Sequence, residues 1–110
     1  MKEIKAFIRP EKVNNIIEQL KAEGYENITI SEAEGTGKFQ SENAFVSQKF
    51  SITDSKIAKL ELVAKDKNVD KIIEIISKYG KTINPGDGLI YVACVDKAYR
   101  VKTGEENGYK

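Results

Sequence analysis

The 110-residue chain has no histidine, no tryptophan, one cysteine, two prolines and no excess of either charge. Without histidine, the Ser-His and Cys-His nucleophile arrangements are excluded, along with the commonest transition-metal ligand. One cysteine and no histidine cannot make a structural zinc site. The single thiol, Cys94, sits in IYVACV and reads as a small core hydrophobe in a reducing compartment. With 18 basic against 17 acidic side chains, the formal charge is +1. No basic stripe for general nucleic-acid binding follows from that balance, and any anion site must be local. No apolar run reaches the ~18 residues of a membrane span, and Met1 is followed at once by charged residues. These features point to a cytoplasmic protein without direct membrane insertion. The carboxylates that could do acid–base work are scattered along helical faces and tails, so no enzyme activity is expected.

What is present is regular. In KEIKAFIRP, Ile4, Ala6 and Ile8 fall on one side of a strand and Phe7 on the other. Pro10 stops the strand and suits the first turn of a helix. Val13, Ile16, Ile17 and Leu20 then make one apolar helical stripe, which Gly24 ends with a left-handed cap. ENITISEAEG is the next strand, with Ile28 and Ile30 on one face. The scheme then repeats. In KLELVAK, Leu60, Leu62 and Ala64 alternate with Glu61 and Val63. Asn68 stands at an N-cap, Val69, Ile72, Ile73 and Ile76 form a second stripe, and Gly80 caps its end. LIYVACV is apolar on both faces, as a strand covered on both sides would be. The order predicts a single α+β domain over residues 1–110, a ferredoxin-like βαββαβ sandwich with an antiparallel sheet.

Two helices on one face of that sheet leave the other face open, where Phe7, Val63, Ile90 and Val92 are expected. A patch of that kind is covered most simply in a homo-oligomer of three or more subunits, or else by the long central loop. That loop, GTGKFQSENAFVSQKFSITDSK, runs over roughly residues 35 to 56. It is longer than the ~12–15 residues usual for a connection in a compact domain. It reads as an extended hairpin that reaches for a partner.

Three stretches could carry chemistry. GTGK (Gly35 to Lys38) closes the second strand, and NPGDG (Asn84 to Gly88) leads into the last. YRVKTGE (Tyr99 to Glu105) places Arg100 and Lys102 on one side of an extended segment. Backbone amides at glycine turns form anion-binding nests, and Arg and Lys add charge-assisted contacts to phosphate. Each signal alone is weak, and no GxxxxGK[ST] phosphate loop is present.

Taken in order, these motifs resemble the PII signal-transduction family, small trimeric regulators with a ferredoxin-like core. The resemblance runs from MKEIKAFIRPEKV to RVKTGE and rests on Arg9-Pro10, on Gly35, Gly37 and Lys38, on Gly86, Asp87 and Gly88, and on Arg100 to Glu105. It implies a T-loop at about 37–56, a B-loop at about 81–88 and a C-terminal loop at about 99–110. These would meet in clefts between subunits of a homotrimer and bind an adenine nucleotide: ADP, ATP or AMP, with magnesium accompanying ATP. Thr29, Gly35, Gly37, Glu61 and Val63 would hold the adenine. Asn84, Gly86, Asp87 and Gly88 would surround ribose and phosphates, with Asp87 pinning the turn. Lys38, Arg100 and Lys102 would pair with the phosphates. Through its T-loop the protein would regulate a target transporter or metabolic enzyme.

The departures carry information too. Leu89 stands where the family commonly has Lys, Phe39 where it has Gln, and Ile57 where a Lys closes on 2-oxoglutarate. Lys102 replaces a more usual Arg and engages phosphate as a point charge. The resemblance therefore implies a shift toward fewer phosphates and a weakened response to 2-oxoglutarate. A trimeric metal-associated protein of the CutA type is the alternative, against which the lack of histidine weighs. An RNA binder would need exposed sheet aromatics and a basic surface.

Overall fold

The structure, a computed structural model, describes residues 1–36, 55–83 and 87–106. Strand β1 (Lys2–Ile8) alternates as its sequence requires, with Ile4, Ala6 and Ile8 buried and Glu3, Lys5 and Phe7 half-buried. Pro10 opens a 3-10 turn, Pro10–Lys12, before helix α1 (Val13–Ala22). Just past α1, Gly24 takes the left-handed conformation at φ 91°. The amides of Gly24 and Tyr25 donate back to the carbonyls of Lys21 and Leu20, which closes the helix. Strands β2 (Thr29–Gly35) and β3 (Ser55–Ala64) follow, then helix α2 (Val69–Gly80) and strand β4 (Gly88–Cys94).

The four strands form one antiparallel sheet in the order β2-β3-β1-β4. This is the ferredoxin-like arrangement of the βαββαβ order. Both helices lay their apolar stripes on the same face. Ile16 and Leu20 of α1 and Ile72, Ile75 and Ile76 of α2 meet Ile4, Ala6 and Ile8 of β1 and Ala58, Leu60, Leu62 and Ala64 of β3. Each fully buried Ile or Leu in that set contributes about 1.5–3 kcal/mol by leaving water.

Pairing overturns part of the face assignment made for the last strand. Register sets Ile90 opposite Ala6 and Val92 opposite Ile4, so both point toward the helices. The open face instead carries Leu89 and Tyr91, opposite Phe7 and Lys5, with Val63 one strand further on. The rings of Phe7 and Tyr91 meet edge to face, centroids 5.9 Å apart at 84°. Nor is β4 covered on both sides within one chain. It is an edge strand, with Leu89 55% and Tyr91 54% exposed. Cys94, at its far end, is exposed rather than buried, and its Sγ accepts a hydrogen bond from Lys2 Nζ at 3.0 Å. The helical cover does not reach that far along the edge.

Asn68 stands at the N-cap of α2 as expected, at the end of a 3-10 turn, Asp66–Asn68, but its side chain makes no cap hydrogen bond. The reading of Gly80 changes. Gly80 is the last residue of α2, and a Cβ there would come within 3.2 Å of Ile16 Cδ1. Its role is close packing of α2 on α1. The hairpin expected within residues 35 to 56 falls mostly outside the described residues.

Leu60 is wholly buried at the middle of the sheet. Leu60→Ala should cost about 2–5 kcal/mol, read as a lower denaturant midpoint at unchanged slope.

Candidate functional site

The bend before β4 is tied to the end of β1. Arg9, the residue after β1, is 7% exposed, and its Nε donates to Asp87 Oδ1 at 2.9 Å. Asp87 also receives the Thr82 hydroxyl on Oδ1 at 2.6 Å and the Thr82 amide on Oδ2 at 2.7 Å. Burial alone pushes the Asp87 carboxyl up. Donation from the Thr82 hydroxyl and amide, and the adjacent Arg9 guanidinium, outweigh it and leave the carboxyl below its ordinary value. Asp87 is thus linked to Arg9 and to Thr82, five residues before it.

Gly88 follows at φ 112°. A Cβ built there would lie 1.7 Å from the carbonyl oxygen of Phe7. The first residue of β4 is thus pressed against the backbone of β1, and the fold itself demands glycine there. Beside the bend, the ends of β1 and α2 and the start of β4 leave an open cavity of about 110 Å³, lined by Phe7, Ile76, Gly80, Lys81, Asp87 and Leu89 among others.

The adenine candidates assemble elsewhere on the sheet. Thr29 of β2 is the register partner of Glu61 of β3, and Val63 lies two residues along the same strand. All three line a polar depression of about 170 Å³ with Glu3, Asn27 and Leu62, on the face away from the helices. Lys59 Nζ lies 3.3 Å from Glu61 Oε1, so this carboxylate is already partly matched. Ile57, on the same strand, is buried at 5% exposure beside Ala33, so no cation stands at that position.

Arg100 and Lys102 do not lie along an extended segment. The chain bridges Tyr99 to Glu106, and residues 101–103 turn between them. The Arg100 amide donates to the Glu105 carbonyl at 2.9 Å, and the Gly104 amide, at φ 69°, donates to the Arg100 carbonyl at 2.8 Å. Both cationic side chains are exposed.

The structure therefore brings Thr29, Glu61 and Val63 together and, separately, Asp87 and Gly88. Gly35 closes β2 opposite Ser55. Gly37, Lys38, Asn84 and Gly86 lie outside the described residues. Across the sheet, Thr29 on the β2 edge is three strand spacings, roughly 14 Å, from the β4 edge that Gly88 begins, and Glu61 and Val63 on β3 are two spacings, roughly 10 Å, from it. Arg9 and Thr82, which hold Asp87, were not among the candidate site residues expected from the sequence. A usable signal existed: Asp87 is the only acid between Lys81 and Val95, in a stretch too apolar to leave it unpaired. Among the described residues, no group of three or more Cys, Asp or Glu is arranged to hold a metal ion, and no helix is long and apolar enough to cross a membrane.

Gly88→Ala should be strongly destabilising, by more than the ~1 kcal/mol of an ordinary backbone change, as measured by thermal melting. For Asp87, the lowered carboxyl stabilises the fold above about pH 4 and loses that contribution as pH falls through its lower folded value. Asp87→Asn should therefore cost about 1.5–3 kcal/mol at neutral pH. The gap to the unaltered chain should close as acid is added, which denaturant titrations at several pH values would read.

Comparison with known proteins adds identity to this geometry. The family model described as nitrogen regulatory protein P-II matches residues 1–105. The nitrogen regulatory protein P-II 2 of Methanothermobacter thermautotrophicus is 36% identical over 110 aligned residues, covering 96% of this chain and 92% of that protein. The P-II protein of Rhodospirillum rubrum is 34% identical, covering 98% and 97%, and that of Haemophilus influenzae 36%, covering 97% and 96%. The similarity spans nearly the whole length on both sides, and the chain belongs to the nitrogen regulatory protein P-II family of signal-transduction regulators.

Proposed function

We propose that this protein is a homotrimeric, non-enzymatic regulator of the cytoplasm that binds an adenine nucleotide in clefts between subunits and acts on a target transporter or metabolic enzyme through residues 37–56. The reading is supported above all by the separation of the two residue groups, one on the β2-β3 side of the sheet and one on the β4 edge. An assembly that sets the β2 edge of one copy near the β4 edge of the next completes in three clefts what one chain cannot complete alone. A head-to-tail interface that closes on itself gives such a ring. Thr29, Glu61 and Val63, with Gly35 and Gly37, take the base. Asn84, Gly86, Asp87 and Gly88 surround ribose and phosphates, and Lys38, Arg100 and Lys102 supply cations to the phosphates.

Nucleotide binding then acts as a switch in the usual thermodynamic sense. It favours one arrangement of the long loop only by its differential affinity for the two. Leu89 and Ile57 are apolar where cations would strengthen a hold on a triphosphate and an oxoacid. This favours ADP or AMP over ATP and weakens any response to 2-oxoglutarate. One missing cation near a polyphosphate is worth about 1–3 kcal/mol, or roughly ten- to hundredfold in affinity.

Calorimetric titration with ATP, ADP, AMP and 2-oxoglutarate tests the reading. Binding of at least one adenine nucleotide is expected, and no binding of any at millimolar concentration overturns it. Arg100→Ala should weaken binding at least tenfold while the solution mass stays that of three chains. A mass equal to one chain overturns the inter-subunit cleft.

A further inference from the structure

The bend before β4 holds a carboxylate where an anion is proposed to bind. That is unfavourable unless the carboxylate is cancelled, and the cancelling charge comes from the other end of the sequence. Arg9 and Asp87 are 78 residues apart, yet Arg9 Nε lies 2.9 Å from Asp87 Oδ1. The same carboxylate takes the Thr82 amide and hydroxyl, which links the residues just after α2 to the start of β4. Next to it, Gly88 lies so close to the Phe7 carbonyl that no side chain fits between the strands. Two independent contacts thus register the bend on the end of β1. One is ionic and hydrogen-bonded; the other is steric.

From this geometry we infer that Arg9 is a positioning residue for the nucleotide: it fixes the bend and neutralises Asp87, and so sets affinity for the phosphates without touching them. The inference rests on the nucleotide reading above. Removal of the guanidinium has two consequences. The bend loses its tie to β1, and an uncompensated carboxylate is left close to the bound anion. Both act through Asp87, so the effect of losing Arg9 depends on whether Asp87 still carries charge. The repulsive part grows with the charge of the ligand, from AMP to ADP to ATP.

The experiment is a double-mutant cycle in the full-length chain, with ADP affinity measured by calorimetry for the unaltered protein, Arg9→Met, Asp87→Asn and the pair together. Arg9→Met should weaken ADP roughly ten- to hundredfold. Arg9→Lys, which keeps the charge, should recover most of the loss. The double variant should bind no more weakly than Arg9→Met alone. Penalties that add in the double variant overturn the inference, since a residue that contacts the ligand directly would behave that way. So does an Arg9→Met protein that binds ADP as tightly as the unaltered chain. Hydrogen exchange at the Thr82 amide is the second readout and needs no ligand: protection should fall in Arg9→Met, and unchanged protection overturns the positioning role however the titrations fall. If the unaltered chain binds no adenine nucleotide, the nucleotide reading fails together with the ligand half of the inference, while the exchange result still decides whether Arg9 holds the bend. Should Arg9→Met fail to fold, Thr82→Val in place of Arg9→Met tests the same tie to Asp87 while leaving the Arg9 charge in place.

Discussion

Arg9 carries a charge that is almost shut off from water, immediately after β1, one of the two central strands of the sheet. A guanidinium in that position needs an anion, because an isolated ion in a poorly hydrated site costs several kcal/mol. Asp87 meets the need and is held in turn by Thr82. The start of β4 therefore cannot move independently of the end of β1. The candidate ligand groups on the β4 edge inherit their positions from this pair, and β1 takes its own from the Ile4, Ala6 and Ile8 face in the core. Positions pass outward in that order: from burial to strand, from strand to ion pair, from ion pair to bend.

The parts of the fold that announce themselves in the sequence are those with one period and one buried face. The alternation of Ile4, Ala6 and Ile8 appears as read, and both helical stripes appear in part: Ile16, Leu20, Ile72 and Ile76 are in the core and Val13 and Val69 pack against it, but Ile17 and Ile73 are only half-buried and Ile75 takes a core place instead. The last strand was different. LIYVACV is apolar at every position, so alternation cannot say which side faces the helices. Only the pairing of Ile90 with Ala6 decides that, and it belongs to the tertiary structure. The same ambiguity made Cys94 look interior. Gly80 was misread because a glycine at a helix end serves equally well as a cap or as a close contact, and only Ile16 distinguishes the two.

At the site the division is similar. The glycines and cations of the three stretches are local motifs and were visible as such. The tie between Arg9 and Asp87 spans 78 positions and leaves no periodic trace. Gly88 shows how one residue can satisfy two demands. Its missing side chain suits an approaching anion, yet the contact with Phe7 alone already requires it. Gly88 is thus required by the packing of β4 on β1 whatever else the bend does.

The two margins of the sheet are guarded unequally. Natural sheets guard their outermost strands with charge or proline, since an unguarded one templates addition of further strands. The other margin, β2, carries Glu32 and Glu34, whereas GLIYVAC contains neither a charged residue nor a proline. Of the two margins, β4 is therefore the one that offers an added strand the least resistance.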